Sequence, residues 1–508
     1  MSTSLSSSDT HTAQSVDTRE LEEIFVLMDI PPTDEERKLI THAYAFAKEA
    51  HKDQKRASGQ PYFIHLVATA KNLARYGMDG TTIAAGLLHD VIEDTPVTEE
   101  QLTAEFGTEI VFLVSGVTKL GELKYRGRER HVESLRKFFI ALADDFRVLM
   151  IKLADRLHNL QTLKYIPPEK QKRIALEAIE VYAPLANRLG IGKLKGELED
   201  AAFPFAYPKE SMRVERLLHS RLATMLVHLE RVHRQLEEVL SQEGIAYTKI
   251  SARMKHKYSL WKKLQRHEMD IEKIYDIVAL RIIVRTVEEC YHVLGIIHSL
   301  WRPLPNRIKD YIALPKLNGY QSLHTTIFTG KGNIAEIQIR TEEMHAQAEY
   351  GIASHFGYKE QLLKNKKPDA QKFHWIGEFK DLKDFPDVSS PDKFFNVLKR
   401  DFFKDRIFVF TPKGDVIDLP EDSSSVDFAY AIHSDLGDKV SQAKINGKAS
   451  KLSTKLKMGD IVEIITSKNA HPGTSWLDFA KTTLARKHIR QYIDSNGGIL
   501  DSIMKRFK

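Results

Sequence analysis

At 508 residues the chain is too long for a single hydrophobic core, and about three domains are expected. A hydrophobic share of 42% and a charged share of 28% are those of a soluble globular protein, with no apolar run near the ~18 residues of a membrane span. Cys290, the only cysteine, excludes an internal disulfide framework and a Cys-rich zinc site, and the net charge of +6 favours anionic partners such as nucleotides or RNA.

The opening MSTSLSSSDTHTAQS has neither a basic n-region nor an apolar h-region. Residues 1–19 are therefore expected to form a disordered tail, not a signal peptide. From about 20 to 200 apolar residues recur at helical spacing. TDEERKLITHAYAFAKEAH opens on a capping-box pair, Thr33 and Glu36, and EKQKRIALEAIEVYAPLANRLG continues the period. Within this region GLLHDVIEDT, residues 86–95, reads as a buried helix yet carries His89, Asp90, Glu93 and Asp94. On a helix Asp90 stacks over Asp94, where like charges repel and apolar neighbours make ionisation costly. A divalent cation is the natural remedy. His65 in PYFIH and Asp155 in IKLADRLHN are further candidate ligands in apolar helical segments. Two imidazoles and two carboxylates suit Mn²⁺, Fe²⁺ or Zn²⁺. Glu93 and Asp94 would then handle protons and orient the attacking water. A single buried histidine is more often a core residue than a ligand; the whole set is what points to metal.

GLLHDVIEDT, SGVTKLG, IKLADRLHN and YAPLANRLG resemble the HD phosphohydrolase domain of the long RelA/SpoT homologues, bifunctional enzymes that make and destroy the guanosine alarmone (p)ppGpp. The resemblance implies that His65, His89, Asp90 and Asp155 are Mn²⁺ ligands and that Glu93 and Asp94 are the catalytic acidic pair. It implies nucleotide contacts for Arg56 and Asn159. Three positions depart from the family pattern: Ala57 replaces a basic residue, Leu66 a proline and Asn187 a histidine.

A long amphipathic helix is predicted over 212–243, after which the period changes. IYDIVALRIIV (274–284) and NIAEIQIRT (333–341) read as strands among helices, an α/β domain from about 245 to 355. ISARMKHKYSLWKKLQRH gathers Arg253, Lys255, His256, Lys262 and Lys263 around a predicted helix start, with His256, Ser259 and Lys262 or Lys263 on one face. Such a helix N-terminus can cradle a triphosphate, although alone the segment reads better as a solvated basic face. RIKDYIALPKLNGYQSLHTT adds Lys309, Lys316, an Asn-Gly turn at Asn318, Tyr320 as a stacking or loop-packing ring, and His324. Period-two geometry puts Glu336, Gln338 and Arg340 on one strand face, either a structural ion pair or a working acid/base. Asp276 is a second carboxylate inside an apolar strand. Two strand carboxylates and a basic cradle suggest Mg²⁺-assisted phosphoryl or pyrophosphoryl transfer.

This region resembles the RelA/SpoT synthetase domain, similar in fold to nucleotidyltransferases. The implied reaction moves the β,γ-pyrophosphate of ATP onto the 3′-hydroxyl of GDP or GTP. Asp276 would ligate Mg²⁺, and Glu336 would position it and activate the hydroxyl. Arg253, Lys255 and Lys262 match the ATP-phosphate contacts; Asn318, Tyr320 and His324 match the GDP/GTP pocket, with Tyr320 stacking on guanine. RIKD, Arg307 to Asp310, is the basic version of bifunctional members. Ala252 and Met254 replace a glycine and a proline in the expected loop before the basic helix.

The Lys-rich KEQLLKNKKPDAQK (359–372) is expected to be a hinge or linker. DRIFVFTPKGDVIDLP then reads as a hairpin with a Lys-Gly turn, followed by the helix SVDFAYAIHSDLG and further strands. That is a small β-grasp-like unit, which resembles a TGS domain. The resemblance implies tRNA sensing, with His433 touching the tRNA 3′ end, and a link to the ribosome; a general interaction module is the plainer alternative. The resemblance runs from about residue 20 to 500, and the further regulatory domains of long members are absent from the sequence, as expected of a shortened form. The expected organisation is an all-α HD-type hydrolase domain at 20–200, connecting helices at 201–245 and an α/β nucleotidyltransferase-like synthetase domain at 246–356. A linker at 357–403, a β-grasp TGS domain at 404–467 and the start of a C-terminal helical region at 468–508 follow. The function expected is cytoplasmic (p)ppGpp synthesis and hydrolysis. The alternatives are a hydrolase whose synthetase domain only senses nucleotide, and an RNA-binding regulator.

Overall fold

The computed structural model describes residues 19–121, 145–316, 318–330, 333–351 and 406–504. They form two compact units that divide between Gly351 and Arg406. The expected linker at 357–403 and all but the last residue of the expected tail lie outside the described residues.

The first unit opens with helices throughout. Helix α1 (Asp34–Ala50) starts on the reciprocal Thr33–Glu36 capping box. Helices α2 (Phe63–Arg75), α3 (Gly80–Leu88), α4 (Val91–Asp94) and α5 (Glu99–Gly121, broken at Gly107) follow. Then come α6 (Phe146–Gln161), α7 (Pro168–Glu177), α8 (Ala183–Arg188), α9 (Gly192–Ala206) and α10 (Pro208–Gln242). Leu66, Leu73, Ile83, Leu87 and Leu88 are fully buried between α2 and α3. Each such side chain contributes roughly 1.5–3 kcal/mol by leaving water. That packing fixes the two helices that deliver His65 and His89.

Two predicted helices are interrupted. GLLHDVIEDT breaks after Leu88: Asp90 sits at φ −100°, ψ −2°, and α4 resumes at Val91. Adjacent residues of an α-helix point about 100° apart, so His89 and Asp90 reach one centre only if the helix gives way between them. Between α7 and α8 the backbone widens to a π turn, Ala178–Tyr182, with Ala183 N–H donating to Ala178 O. Pro184, which cannot donate an N–H, stands just beyond it.

After α10 the chain forms a five-stranded sheet, β1 (Tyr247–Met254), β2 (Val278–Val284), β3 (Lys309–Asp310), β4 (Leu323–Phe328) and β5 (Ile334–Thr341), in the order β1-β2-β5-β4-β3. Only β2 and β5 run parallel, with Ala279 opposite Glu336; the other neighbours are antiparallel. The crossover carries α12 (Val287–Leu300), while α11 (Lys257–Arg266) follows β1 and α13 (Glu342–Tyr350) follows β5. Every residue of β2 is buried, as its apolar run requires of a central strand. Ala252 and Met254 lie in strand β1, not in the expected loop, because they pair in register with Leu280 and Val278.

The second unit has the hairpin β6 (Arg406–Phe410) and β7 (Val416–Pro420), whose turn holds Gly414 at φ +90°. Helices α14 (Ser425–Ile432) and α15 (Ser434–Asp438) follow, then β8 (Val440–Ile445), β9 (Lys448–Ser450) and β10 (Val462–Thr466) in the order β10-β8-β9. Phe410 bridges Ile461 in parallel, and Ile407, Val409, Leu419, Phe428, Leu456 and Val462 form the core. The basic segment ARKHIRQYI belongs to α17 (Thr483–Met504), which follows the short α16 (Trp476–Phe479). Among the described residues no helix is long and apolar enough to cross a membrane.

Candidate functional sites

His65 enters from α2, His89 and Asp90 from the break after α3, and Asp155 from α6. Ligand atoms of His65, His89 and Asp155 all lie within 4.8 Å of one another, and all three residues are buried. The Asp90 carboxylate adds itself 3.1 Å from His89 Nε2 and 3.6 Å from His65 Nε2. His89 Nδ1 lies 2.8 Å from Gly86 O, which sets that nitrogen as a donor and leaves Nε2 as the nitrogen that faces the centre, able to offer a lone pair once it gives up its proton. Nε2 is buried and finds no hydrogen-bond partner, even beside Asp90. A nitrogen and carboxylate oxygens converging on one buried point fit a divalent cation, which would take the place of the His89 proton. Burial disfavours a charged His89, but Asp90 and Asp155 outweigh it and push its affinity for a proton up to about 9.

Around these four side chains lies a ring of polar contacts. Tyr62 O–H stands 2.8 Å from Asp90 Oδ2 and 3.0 Å from Asp94 Oδ2, and its one proton separates the two carboxylates that repel on a helix edge. Lys152 Nζ lies 3.1 Å from Asp155 Oδ2, and Asn159 donates its amide to the other oxygen. Arg56 donates to Asn159 Oδ1 at 2.6 Å and approaches His158 Nδ1 at 3.3 Å. Burial, with His65 and Arg56 beside it, pushes His158 down to about 3, so it stays neutral. Glu93 is half-buried and Asp94 exposed on α4 at the edge of the centre. Tyr62, Lys152 and His158 are additions to the sequence-derived set. Helical spacing carried the signal for two of them, because Lys152, His158 and Asn159 fall at i−3, i+3 and i+4 from Asp155.

The sheet holds the second cluster. Asp276 precedes β2 instead of lying within it, 2.6 Å from Lys255 Nζ and 2.8 Å from Lys263 Nζ. Burial works against its charge, but the two lysines hold it down to about 2. Glu336, Gln338 and Arg340 share a face of β5, as period two predicts. Gln338 donates to Glu336 Oε1 at 3.0 Å, and His324 Nδ1, from the neighbouring β4, lies 3.4 Å away. Burial raises Glu336, yet His324 and Gln338 keep it below the usual carboxylate range and therefore ionised. Tyr320 O–H meets His324 Nε2 at 2.8 Å, and Lys316 lies over the Tyr320 and Tyr311 rings. Lys309 pairs across the strands with His324, and Arg253 reaches Gln338 Oε1 at 3.4 Å. Asn318 turns its side chain onto Asn187 O at 3.2 Å.

Other predicted contacts point elsewhere. The N-terminus of α11 is not open to a phosphate, because Asp200 of α9 accepts from Tyr258 N at 3.0 Å. His256 binds the same carboxylate at 2.8 Å, and Ser259 donates to Glu199, so both are held on α9. Lys262 is exposed beside the Tyr258 ring, and it is Lys263 that turns to Asp276. Arg340 is 1% exposed and tied to Glu349 and His345. In the second unit His433 is exposed at the junction of α14 and α15, where its Nδ1 accepts from Asp435 N at 3.2 Å.

Residues 43–192 match the HD domain, residues 252–362 the region found in RelA / SpoT proteins, and residues 407–466 the TGS domain. The chain is 46% identical over 456 residues to the guanosine-3′,5′-bis(diphosphate) 3′-pyrophosphohydrolase of Aquifex aeolicus (strain VF5), covering 89% of this chain and 64% of that one. It is 44% identical over 473 residues to the GTP pyrophosphokinase of Myxococcus xanthus, covering 91% and 62%. With the bifunctional (p)ppGpp synthase/hydrolase SpoT of Escherichia coli (strain K12) it shares 41% over 457 residues, covering 90% and 65%. The chain thus spans about three-fifths of the length of these curated relatives. Three matched domains in this order, with such identity over about nine-tenths of its own length, mean that the chain belongs to the RelA/SpoT family.

Proposed function

We propose that the chain is a bifunctional alarmone enzyme of the stringent response. One site transfers the β,γ-pyrophosphate of ATP to the 3′-hydroxyl of GDP or GTP and releases AMP. The other hydrolyses (p)ppGpp to GDP or GTP and pyrophosphate. The observation that carries this reading is that one compact unit holds both a buried His/Asp centre and a cluster of cations around two ionised carboxylates. The names of the relatives, which cover both reactions, support it.

In this reading His65, His89, Asp90 and Asp155 hold Mn²⁺, and Asp276 with Glu336 holds Mg²⁺, whose preference for oxygen ligands suits two carboxylates. When bound, the ions would neutralise charge building on phosphoryl oxygens and, in the first site, make water a stronger nucleophile. Glu93 and Asp94 move protons at the edge of that centre, and Tyr62 keeps Asp90 and Asp94 from repelling each other. In the second site Glu336 accepts the 3′-hydroxyl proton, oriented by His324 and Gln338. Tyr320 stacks on guanine, and Arg253, Lys255 and Lys263 bind the triphosphate. Binding ATP there requires the two lysines to leave Asp276 for phosphate. Their present hold on Asp276 is what favours the second reading, a hydrolase whose other domain only senses nucleotide.

The domain division we favour is hydrolase 20–200, connecting helices 201–245, synthetase 246–356 and TGS 404–467. The TGS unit, with His433 offering Nε2–H from an exposed ring, would contact uncharged tRNA, and the setting would be the cytoplasm. The test is to incubate the protein separately with ATP plus GDP and with ppGpp plus Mn²⁺, and to count products. AMP with ppGpp from the first and GDP with pyrophosphate from the second are expected. Product only in the second selects the sensor reading, and none in either overturns both.

A further inference from the structure

His158 belongs to no ligand set and to no expected substrate contact, yet it is buried against the metal centre. Its Nδ1 lies 2.7 Å from His65 Nδ1 and 3.3 Å from Arg56 Nη1. A guanidinium can only donate, so His158 Nδ1 must be the acceptor and carry no hydrogen. The contact with His65 then requires the hydrogen to sit on His65 Nδ1. A neutral imidazole has one such hydrogen, so His65 Nε2 is left as a bare lone pair. That nitrogen faces Asp155 Oδ1 at 3.3 Å and Asp90 Oδ2 at 3.6 Å. The other tautomer would place an N–H between His65 and Asp155, closing the position to a cation.

We propose that His158 is a positioning residue that locks His65 in its metal-binding tautomer, with Arg56 setting the direction of the chain. Arg56 does the same for a second ligand. It donates to Asn159 Oδ1, which turns the Asn159 amide hydrogens toward Asp155. One loop arginine thus orients two ligands on two helices, through two neighbours on α6. Outer partners of this kind commonly change metal affinity by about 10–100-fold. The inference rests on the metal reading of this centre.

The test measures Mn²⁺ affinity of the full chain by calorimetry and by the loss of the free-ion paramagnetic resonance signal. His158→Leu removes the acceptor and is expected to weaken binding by about 10–100-fold. His158→Gln keeps an acceptor oxygen that can take the His65 hydrogen, and should recover most of the loss. A role in packing alone predicts the reverse order, because Leu fills an apolar site better than Gln. Should the Leu variant fail to fold by circular dichroism, Arg56→Met on the loop reads the same chain and should weaken binding in the same direction. Parental affinity in His158→Leu, or in Arg56→Met where that variant stands in, overturns the proposal. His65→Ala distinguishes the two levels of failure: unchanged Mn²⁺ affinity there would remove the metal reading itself.

Discussion

Asp155 is the side chain on which the buried centre converges, since His65, Lys152 and Asn159 all meet its carboxylate. Asp155→Ala should abolish Mn²⁺-dependent ppGpp hydrolysis and leave synthesis from ATP and GDP intact, as followed by product chromatography. Retained hydrolysis would place the metal elsewhere. Glu336→Gln keeps the side-chain size but removes the charge, so synthesis should fall by about 10²–10⁴-fold, the range for losing a general base. A parental rate would move the base to another residue. Asp276 supplies a pH signature. Its carboxyl is depressed from 3.8 to about 2, so the stabilisation from Lys255 and Lys263 is complete above the unfolded value and is lost as pH falls through the folded one. The shift corresponds to roughly 2 kcal/mol. The gap in melting temperature between the parent and Asp276→Asn should be constant above about pH 5 and narrow toward pH 3. A gap that ignores pH would mean that the ion triad does not form in solution.

Helix α9 binds the elements around it from three directions. Glu197 accepts from Arg75 and Tyr76 at the end of α2, the helix that carries His65. Glu199 and Asp200 grip Ser259, His256 and the start of α11. Its leading turn meets the end of α13, where Gly351 has φ +56° and an added Cβ would lie 2.2 Å from Leu189 O. Gly351→Ala should therefore lower stability by about 1–3 kcal/mol, as overpacking against backbone does. Gly244, also at positive φ (+68°) but with open space around it, is the control for backbone strain alone. Equal losses in thermal melts would show that the close approach carries no cost. The capping box at Thr33, the apolar run of β2 and the alternation of β5 were legible because each is a local signal. The break at His89 and the closed N-terminus of α11 were not, since each depends on a partner distant in sequence.

At the scale of the molecule, the proposed function has one site make the 3′-pyrophosphate ester and the other cleave it. Both running together would turn ATP into AMP and pyrophosphate with no net alarmone. We expect the two sites to be coupled through the helices between about 157 and 245. The contact of Asn318, in the turn proposed to line the guanine pocket, with Asn187 O gives that coupling a physical route. Occupying Tyr320 with nucleotide should weaken ppGpp at the Mn²⁺ site by about 5- to 150-fold, the usual span of 1–3 kcal/mol. The measurement is ppGpp affinity with and without a non-reactive ATP analogue plus GDP, in a Glu93→Gln background, with Tyr320→Ala as the control for ppGpp entering the guanine pocket. Unchanged affinity would mean two independent enzymes on one chain.

Residue type and spacing alone pointed to a helical domain with His65, His89, Asp90 and Asp155 as a candidate metal set, an α/β domain with carboxylates at 276 and 336, and a small β unit. These are properties of periodicity and donor chemistry, which a sequence carries locally. Tertiary structure decided the assignments among equivalent cations and rings. Lys255 and Lys263 turn to Asp276 while Lys262 stays in solvent, and His256 and Ser259 face α9. His158 becomes the partner of His65 only because α2 and α6 pack side by side. Charge and hydrogen-bond capacity are written in the chain, but which groups satisfy one another is settled by distances of about 3 Å that only packing sets.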